Sequence, residues 1–391
     1  MERLIYIIAG EPSGDLLGGR LMAGLKAAGG GGLRFAGIGG EAMRAEGLDS
    51  LFPMAELAVM GLVEVLPRLP RILRRIDETV ADIAARRPAA VVTIDSWGFT
   101  GRVQKRLQRD LPDIPRIHYV APMVWAWKPG RTKTLAAVLD LLMTLLPFEP
   151  PWFEKEGLRT VHVGHSVVES GAGRGDGAAF RRRHGIVPDA PVVVVLPGSR
   201  HSETSRLLPV FAAAIARLAP RHPGLTVVAP TVETVAAEVR SALAAWPLPT
   251  VVVEGRAEKY DAFAAGNAAL AASGTVALEL ALAGLPTVIA YKVSPVSAFI
   301  ATRFLGLKLK YATLVNMVMD APVMPELLQD ACRPESLAEA VATLLDRPET
   351  AAAQRQAAAE AMRRLGLGGP SPSARAAGAV LDLIAQRQRR I

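Results

Sequence analysis

The stretch AALAASGTVALELALAGLPTVIAY, Ala268 to Tyr291, restricts the fold of this chain more than any other. A small apolar strand, Ala268 to Ala272, stops at Ser273-Gly274-Thr275. A helix with one charge, Glu279, follows and is broken by Gly284 and Pro286, and a second apolar strand then runs to Tyr291. The stretch has the length of a bilayer span, but its internal Ser-Gly-Thr, Glu279 and Gly-Leu-Pro argue for strand–loop–helix–strand. Strand, small-residue loop and helix N-terminus also make an anion site. Glycine lets backbone approach a ligand closely, and the first helical N–H groups are unpaired. Glu279, one turn into the helix, is placed to hold a sugar hydroxyl while the N-terminus holds a diphosphate. The chain has no GxxxxGK[ST] loop, which argues against phosphoryl transfer from a P-loop.

The same strand–helix alternation runs through both halves. Leu4–Ala9, Arg34–Ile38, Ala90–Asp95, Arg116–Val120 and Leu141–Leu145 read as strands, with a helix over Leu16–Ala28. Val192–Leu196, Thr226–Ala229, Val251–Val253, Ala268–Ala272 and Pro286–Ala290 repeat the theme, with helices over Leu207–Leu218, Val235–Ala245 and Val276–Ala283. Continuous apolar strands joined by helices indicate parallel sheets covered on both faces. A chain of 391 residues fits two domains of about 150–200 residues each. The run Ser170-Gly-Ala-Gly-Arg-Gly-Asp-Gly177 is the linker candidate. The expected layout is an α/β chain of two doubly wound domains facing a cleft: 1–169, a linker over 170–177, and 178–391, whose last helix is free to pack back on the first domain.

Half the residues are hydrophobic and 21% are charged, the balance of a globular protein. A net charge of +8 favours anionic partners such as phosphorylated substrates or acidic lipid surfaces, although drift toward Ala, Gly and Arg explains it equally well. No zinc-finger spacing or aromatic-interleaved basic strand is present, so nucleic acid is not an expected partner. Cys332 is the single cysteine, which excludes an intrachain disulfide and fits a reducing cytoplasm. MERLIYIIAG is too short an apolar run for a signal peptide.

Several strand ends carry chemistry. AGEPSGD offers Glu11, Ser13 and Asp15 after the first strand, each readable as a ligand or as a turn and cap residue. Asp95 ends VVTID, where an acid faces the ligand crevice of a parallel sheet or caps the next turn. His118, inside RIHYV, is either a buried hydrogen-bonded histidine or a catalytic one. In HYVAPMVWAWKPGR, Trp125, Trp127, Lys128 and Arg131 either present rings and cations to an acylated sugar phosphate or pack the loop down. LPGSRHSE places Arg200 to fork onto a phosphate and Glu203 at a helix start. From Pro67 to Ala84, Leu69, Ile72, Leu73, Ile76, Val80 and Ile83 share a face opposite Arg68, Arg71, Arg74 and Arg75. With GLVEVL before it, this reads as a membrane-surface patch or as a core-packed helix with solvated arginines.

In order along the chain, AGEPSGDLLGGRLM, GIGGEAM, MGLVEVLP, HYVAPMVWAWKPGR, LPFEPPWF, VGHSVV, LPGSRHSE, ASGTVALELALAGLPTVIAYKV and LVNMVMDAPVMPELLQ resemble the lipid-A-disaccharide synthase family. The resemblance implies a GT-B glycosyltransferase with two Rossmann-like domains. Such an enzyme joins UDP-2,3-diacylglucosamine to 2,3-diacylglucosamine 1-phosphate with inversion and without a metal or other cofactor, giving a β-1′,6-linked disaccharide and UDP. It implies a first domain that receives the acceptor through Ser13, Asp15, His118, Trp125 and Arg131, with Asp95 or Glu11 as base. The second domain then holds the donor through Arg200, Glu203, Ser273, Gly274, Thr275, Glu279, Asn316, Glu326 and Gln329. A cytoplasmic protein peripheral on the inner membrane is expected, attached to an anionic surface through Gly61–Ile76, and a homodimer is left open. The alternatives are another UDP-sugar enzyme of this fold, an N-acetylglucosamine transferase or epimerase, or a non-catalytic nucleotide-sugar or lipid-binding protein. The chain departs from the family where IDAPDFN is replaced by IDSWGFT, which puts Gly98 in place of a second acid. Ser166 in VGHS and Val315 in LVN are further departures.

Overall fold

A computed structural model describes residues 3–29, 32–57, 69–292 and 310–389. The chain divides into two compact units, Met1–Ser166 with Gly368–Ile391, and Val167–Leu367. Each is built on a six-stranded parallel sheet.

In the first unit the strands are β1 (Arg3–Ala9), β2 (Leu33–Ile38), β3 (Ala90–Ile94), β4 (Arg116–Tyr119), β5 (Leu141–Thr144) and β6 (Thr160–His162), in the order β2-β1-β3-β4-β5-β6. Both faces are covered, which is why the strands read as unbroken apolar runs. Ile5, Ile7 and Ala9 of β1 face a core closed by Leu17, Leu21, Met22 and Leu25 of helix Pro12–Gly29 and by Val380, Leu383 and Ile384 of the last helix, Pro372–Gln388. The alternate residues, Tyr6 and Ile8, face a second core with Ile76 and Ile83 of helix Leu69–Arg86 and Phe99, Val103 and Leu107 of helix Trp97–Asp110. Gly24 lets the first and last helices touch, since a Cβ there would lie 2.8 Å from the Ser373 carbonyl oxygen.

In the second unit the strands are β7 (Val192–Leu196), β8 (Thr226–Thr231), β9 (Thr250–Glu254), β10 (Ala268–Ala272), β11 (Thr287–Tyr291) and β12 (Glu326–Leu328), in the order β12-β11-β10-β7-β8-β9. Val193, Val195, Leu270 and Val288 pack under helices His201–Leu218, Glu233–Ala244 and Pro334–Asp346. Val192, Val228 and Val253 pack under Phe180 and Ala262 on the other face. The stretch Ala268–Tyr291 forms β10, helix Val276–Leu282 and β11, with β10 and β11 paired in parallel. Among the described residues no helix is long and apolar enough to cross a membrane.

Two sequence readings change. The glycine run Ser170–Gly177 lies inside the second unit rather than between units. Its glycines serve close packing: a Cβ at Gly173 would sit 2.9 Å from the Leu282 carbonyl oxygen, at Gly175 2.0 Å from that of Tyr260, and at Gly177 2.4 Å from that of Ala264. Of the expected membrane segment, residues 61–68 lie outside the described residues. In helix Leu69–Arg86, Ile76 and Ile83 are core residues, and Leu73, 41% exposed, is the one large hydrophobic side chain turned outward among the described residues. Arg75 is not a free surface cation: it pairs with Glu56 and Glu78 and lies 4.4 Å over the Phe52 ring.

Candidate active site

In the first sheet the strand order reverses beside β1, so the crevice at the carboxyl ends opens between β1 and β3. Two carboxylates meet there. β1 runs into Gly10-Glu11 and β3 into Asp95-Ser96. Gly10 admits no side chain, because a Cβ would lie 2.7 Å from Ser96 Oγ. Asp95 and Ser96 are both left-handed, with φ of +49° and +45°, and Val120 at the end of β4 has φ +79°. Non-glycine residues in this region are strained and gather at functional sites. The strain at Asp95 is held by its amide donating to the Tyr119 carbonyl at 2.9 Å and by Thr100 Oγ1 donating to its own carbonyl at 2.7 Å. Burial pushes the Asp95 carboxyl above the usual carboxylate range, the Ser96 amide at 2.7 Å opposes this, and the charge and hydrogen bond of Glu11 add to the rise. Ser13 Oγ donates to Glu11 Oε1 at 2.7 Å.

Other residues expected in this half are occupied elsewhere. The Asp15 carboxylate, buried, accepts the amides of Gly40, Ala42 and Met43 at 2.7, 2.9 and 3.1 Å and caps the helix Glu41–Ala45. It has a scaffold role, and a short side chain over three amides explains both the acid and its burial. His118 is fully buried in β4, with Nδ1 2.8 Å from Thr93 Oγ1 and the ring edge-on to Trp97. Burial pulls it down to about 3, so it stays neutral and out of reach of an acceptor. Trp125 Nε1 donates to Glu149 at 3.3 Å and its ring meets Phe148, so it packs the loop down. Burial pushes Glu149 up to about 7. Trp127, by contrast, is exposed, with Lys128 Nζ 4.1 Å and the Arg131 guanidinium 4.9 Å from its ring. Gly98 is exposed with open space around it.

The second sheet reverses its order between β7 and β10, and a cavity of about 460 Å³ opens at their carboxyl ends. It is lined by Arg200 and Glu203 after β7, Thr231 at the end of β8, Ser273-Gly274-Thr275 after β10, and Lys259 and Glu279. Gly198, φ +118°, turns the first loop where a Cβ would lie 2.5 Å from Glu203. Glu203 accepts the Ser199 amide at 2.9 Å and holds Arg200 Nη1 at 3.2 Å, so it shapes the loop. Arg200 keeps 66% of its side chain exposed. Gly274 and Thr275 are exposed, and no side chain caps helix Val276–Leu282, whose Ala277 and Leu278 amides donate to the Gly274 and Thr275 carbonyls at 3.2 and 3.0 Å. Glu279 Oε1 and Oε2 both lie 2.9 Å from Lys259 Nζ, and Tyr260 Oη donates to Oε1 at 3.0 Å.

Asn316 and Glu326 form a closed cluster. Glu326 accepts from the amides of Ala312 and Thr313, from Thr313 Oγ1 and from Asn316 Nδ2, all at 2.8 Å. Asn316, 1% exposed, also clamps Met324 through both its amide and its carbonyl. These side chains fix the loop whose Ala312 carbonyl meets Ser273 Oγ at 3.5 Å. Gln329 is left-handed, φ +51°, beside the end of β12. Sequence reasoning missed Lys259 and Thr231 in the cavity, Tyr260 hydrogen-bonded to Glu279, and Ser96 beside Asp95. Positive φ leaves no mark in composition, and Lys259 meets Glu279 across 20 residues, beyond any local pattern.

A family model described as lipid-A-disaccharide synthetase matches residues 5–371. A curated lipid-A-disaccharide synthase from Paramagnetospirillum magneticum is 68% identical over 383 residues, 98% of each chain. One from Rhodospirillum centenum is 56% identical over 384 residues, 98% of this chain and 95% of the relative. Among solved structures, MurG of Acinetobacter baumannii aligns with a TM-score of 0.60 at 15% identity, covering 99% of this chain and 100% of its own. A UDP-GlcNAc 2-epimerase from Neisseria meningitidis, bound to UDP-GlcNAc, aligns with a TM-score of 0.60 at 11% identity, covering 99% and 100%. At such identities these two likenesses speak for the fold alone.

Proposed function

The chain belongs to the lipid-A-disaccharide synthetase family, and from that premise we propose how its residues divide the reaction. It is a GT-B glycosyltransferase of lipid A biosynthesis. It transfers the sugar of UDP-2,3-diacylglucosamine to 2,3-diacylglucosamine 1-phosphate and releases UDP. One inverting displacement forms the bond from the acceptor 6-oxygen to the anomeric carbon as the bond to the diphosphate breaks. A base must take the hydroxyl proton, and positive groups must meet the charge that grows on UDP.

The proposed base is Asp95, with Glu11 as its partner. The observation that carries this is their meeting at the switch point of the first sheet, with Asp95 raised by burial and by Glu11. A carboxylate of raised affinity for protons is a stronger base. Gly98 supplies no second acid here. Ser13 steadies Glu11, and Arg131 with Trp127 offers a cation and an apolar ring to the phosphorylated, acylated acceptor. UDP takes the second-unit cavity, with its diphosphate on the Ser273–Thr275 loop and Arg200, and its ribose at Glu279. Arg200→Lys keeps the charge but loses the fork, so kcat/KM should fall by the equivalent of about 1.5–3 kcal/mol. Wild-type kcat/KM in that variant would return Arg200 to the surface.

Acylated substrates also call for a bilayer. We place the protein peripherally on the inner face of the inner membrane, supported by exposed Leu73 between the exposed Arg71 and Arg74.

A further inference from the structure

The cavity in the second unit holds two carboxylates and two cations in matched pairs, Arg200 with Glu203 and Lys259 with Glu279. The second pair is the unexpected one. Glu279 is the one charge of its helix and points into a space suited to a dianionic ligand. An unmatched carboxylate there would repel the diphosphate it lies beside. Lys259 comes from a different segment, helix Arg256–Ala265, and reaches both oxygens of Glu279 while lining the same cavity. Its neighbour Tyr260, 6% exposed, adds its hydroxyl to Oε1 and is itself fixed by the close backbone of Gly175. Three donor contacts thus fix one carboxylate in direction and offset its charge, leaving acceptor capacity for a sugar hydroxyl.

We propose that Lys259 is a positioning residue for the nucleotide: it neutralises and orients Glu279 so that a ribose-binding carboxylate can stand next to a diphosphate. The inference rests on the reading of this cavity as the donor site. It differs from a direct phosphate contact, because Lys259 acts through Glu279 and its effect must depend on that residue.

The test is calorimetric titration of the full chain with UDP in a double-mutant cycle. Lys259→Met should weaken UDP binding by at least about tenfold, the scale of a lost charged hydrogen bond. Lys259→Arg, which keeps a cation in reach of Glu279, should recover most of that loss. In a Glu279→Gln background, Lys259→Met should cost no more than about threefold, because there is no charge left to offset. An equal loss in both backgrounds would overturn the proposal in favour of a direct contact, and unchanged binding in Lys259→Met would overturn it outright. Thr275→Trp, which fills the cavity from an exposed position, separates this from failure of the donor reading. If Thr275→Trp blocks UDP while Lys259→Met binds normally, only the role of Lys259 fails. If UDP binds Thr275→Trp normally, the cavity is not the donor site. Melting temperatures of each variant complete the control: a lowered melting temperature in Lys259→Met, together with a loss of UDP affinity that the Glu279→Gln background does not reduce, would mark Lys259 as structural and overturn the proposal.

Discussion

At Asp95 a strained backbone, a half-buried carboxyl and a neighbouring second acid come together. Each is unfavourable for folding, and together they are the grounds on which Asp95 is proposed as the base. Asp95→Asn should lower kcat by about 10²–10⁴-fold while UDP affinity hardly changes, measured by UDP release and calorimetry. If turnover stays near normal there and Glu11→Gln abolishes it, the base is Glu11. The pH profile carries the sign. A base works deprotonated, so the acidic limb of kcat should follow the raised Asp95 value. Removing the Glu11 charge lets that value fall, so Glu11→Gln should move the limb to lower pH. An acidic limb that stays put would contradict the pairing. The same raised value favours the protonated folded state. The stability it lends is present below the ordinary carboxylate range and is lost as pH rises through the folded value. Asp95→Asn should therefore melt at or above wild type at neutral pH, and a lower melting temperature would show that the carboxylate is a net structural asset.

Among the elements, strands were the most legible and special loops the least. β1, β7 and β10 are unbroken apolar runs because helices cover both faces, and that composition survives in sequence. The cavity loop after β10 was equally legible, since Ser-Gly-Thr before an apolar helix has few other meanings. His118 and Asp15 were not, because whether a strand histidine or turn acid is buried depends on partners such as Thr93 or Gly40, 25 residues away. The glycine run misled for a related reason: glycine for flexibility and glycine for close contact look alike in sequence. The two roles separate on substitution. Gly175→Ala puts a Cβ on the Tyr260 carbonyl and should cost about 1–3 kcal/mol in denaturant unfolding, whereas Gly98→Ala, with open space, should be near neutral. Equal effects would contradict the packing role. Helix Leu69–Arg86 divides similarly. Ile83→Ala should cost about 2–5 kcal/mol as a core truncation. Serine at Leu73, Arg71 and Arg74 together should leave the fold intact but weaken sedimentation with anionic vesicles, most at low salt. Unchanged sedimentation would leave the helix a packing element only.

Across the whole chain, two wound sheets place their chemistry at the carboxyl ends beside the point where strand order reverses. One unit contributes an acid pair and the other a cavity with paired charges and an uncapped helix start. The most direct measurement is a product assay on the full chain with UDP-2,3-diacylglucosamine and 2,3-diacylglucosamine 1-phosphate. The account predicts one UDP released per β-1′,6-linked disaccharide formed, and no UDP above background when the acceptor is omitted. UDP release or donor epimerisation without acceptor, or no disaccharide with both substrates present, would contradict it.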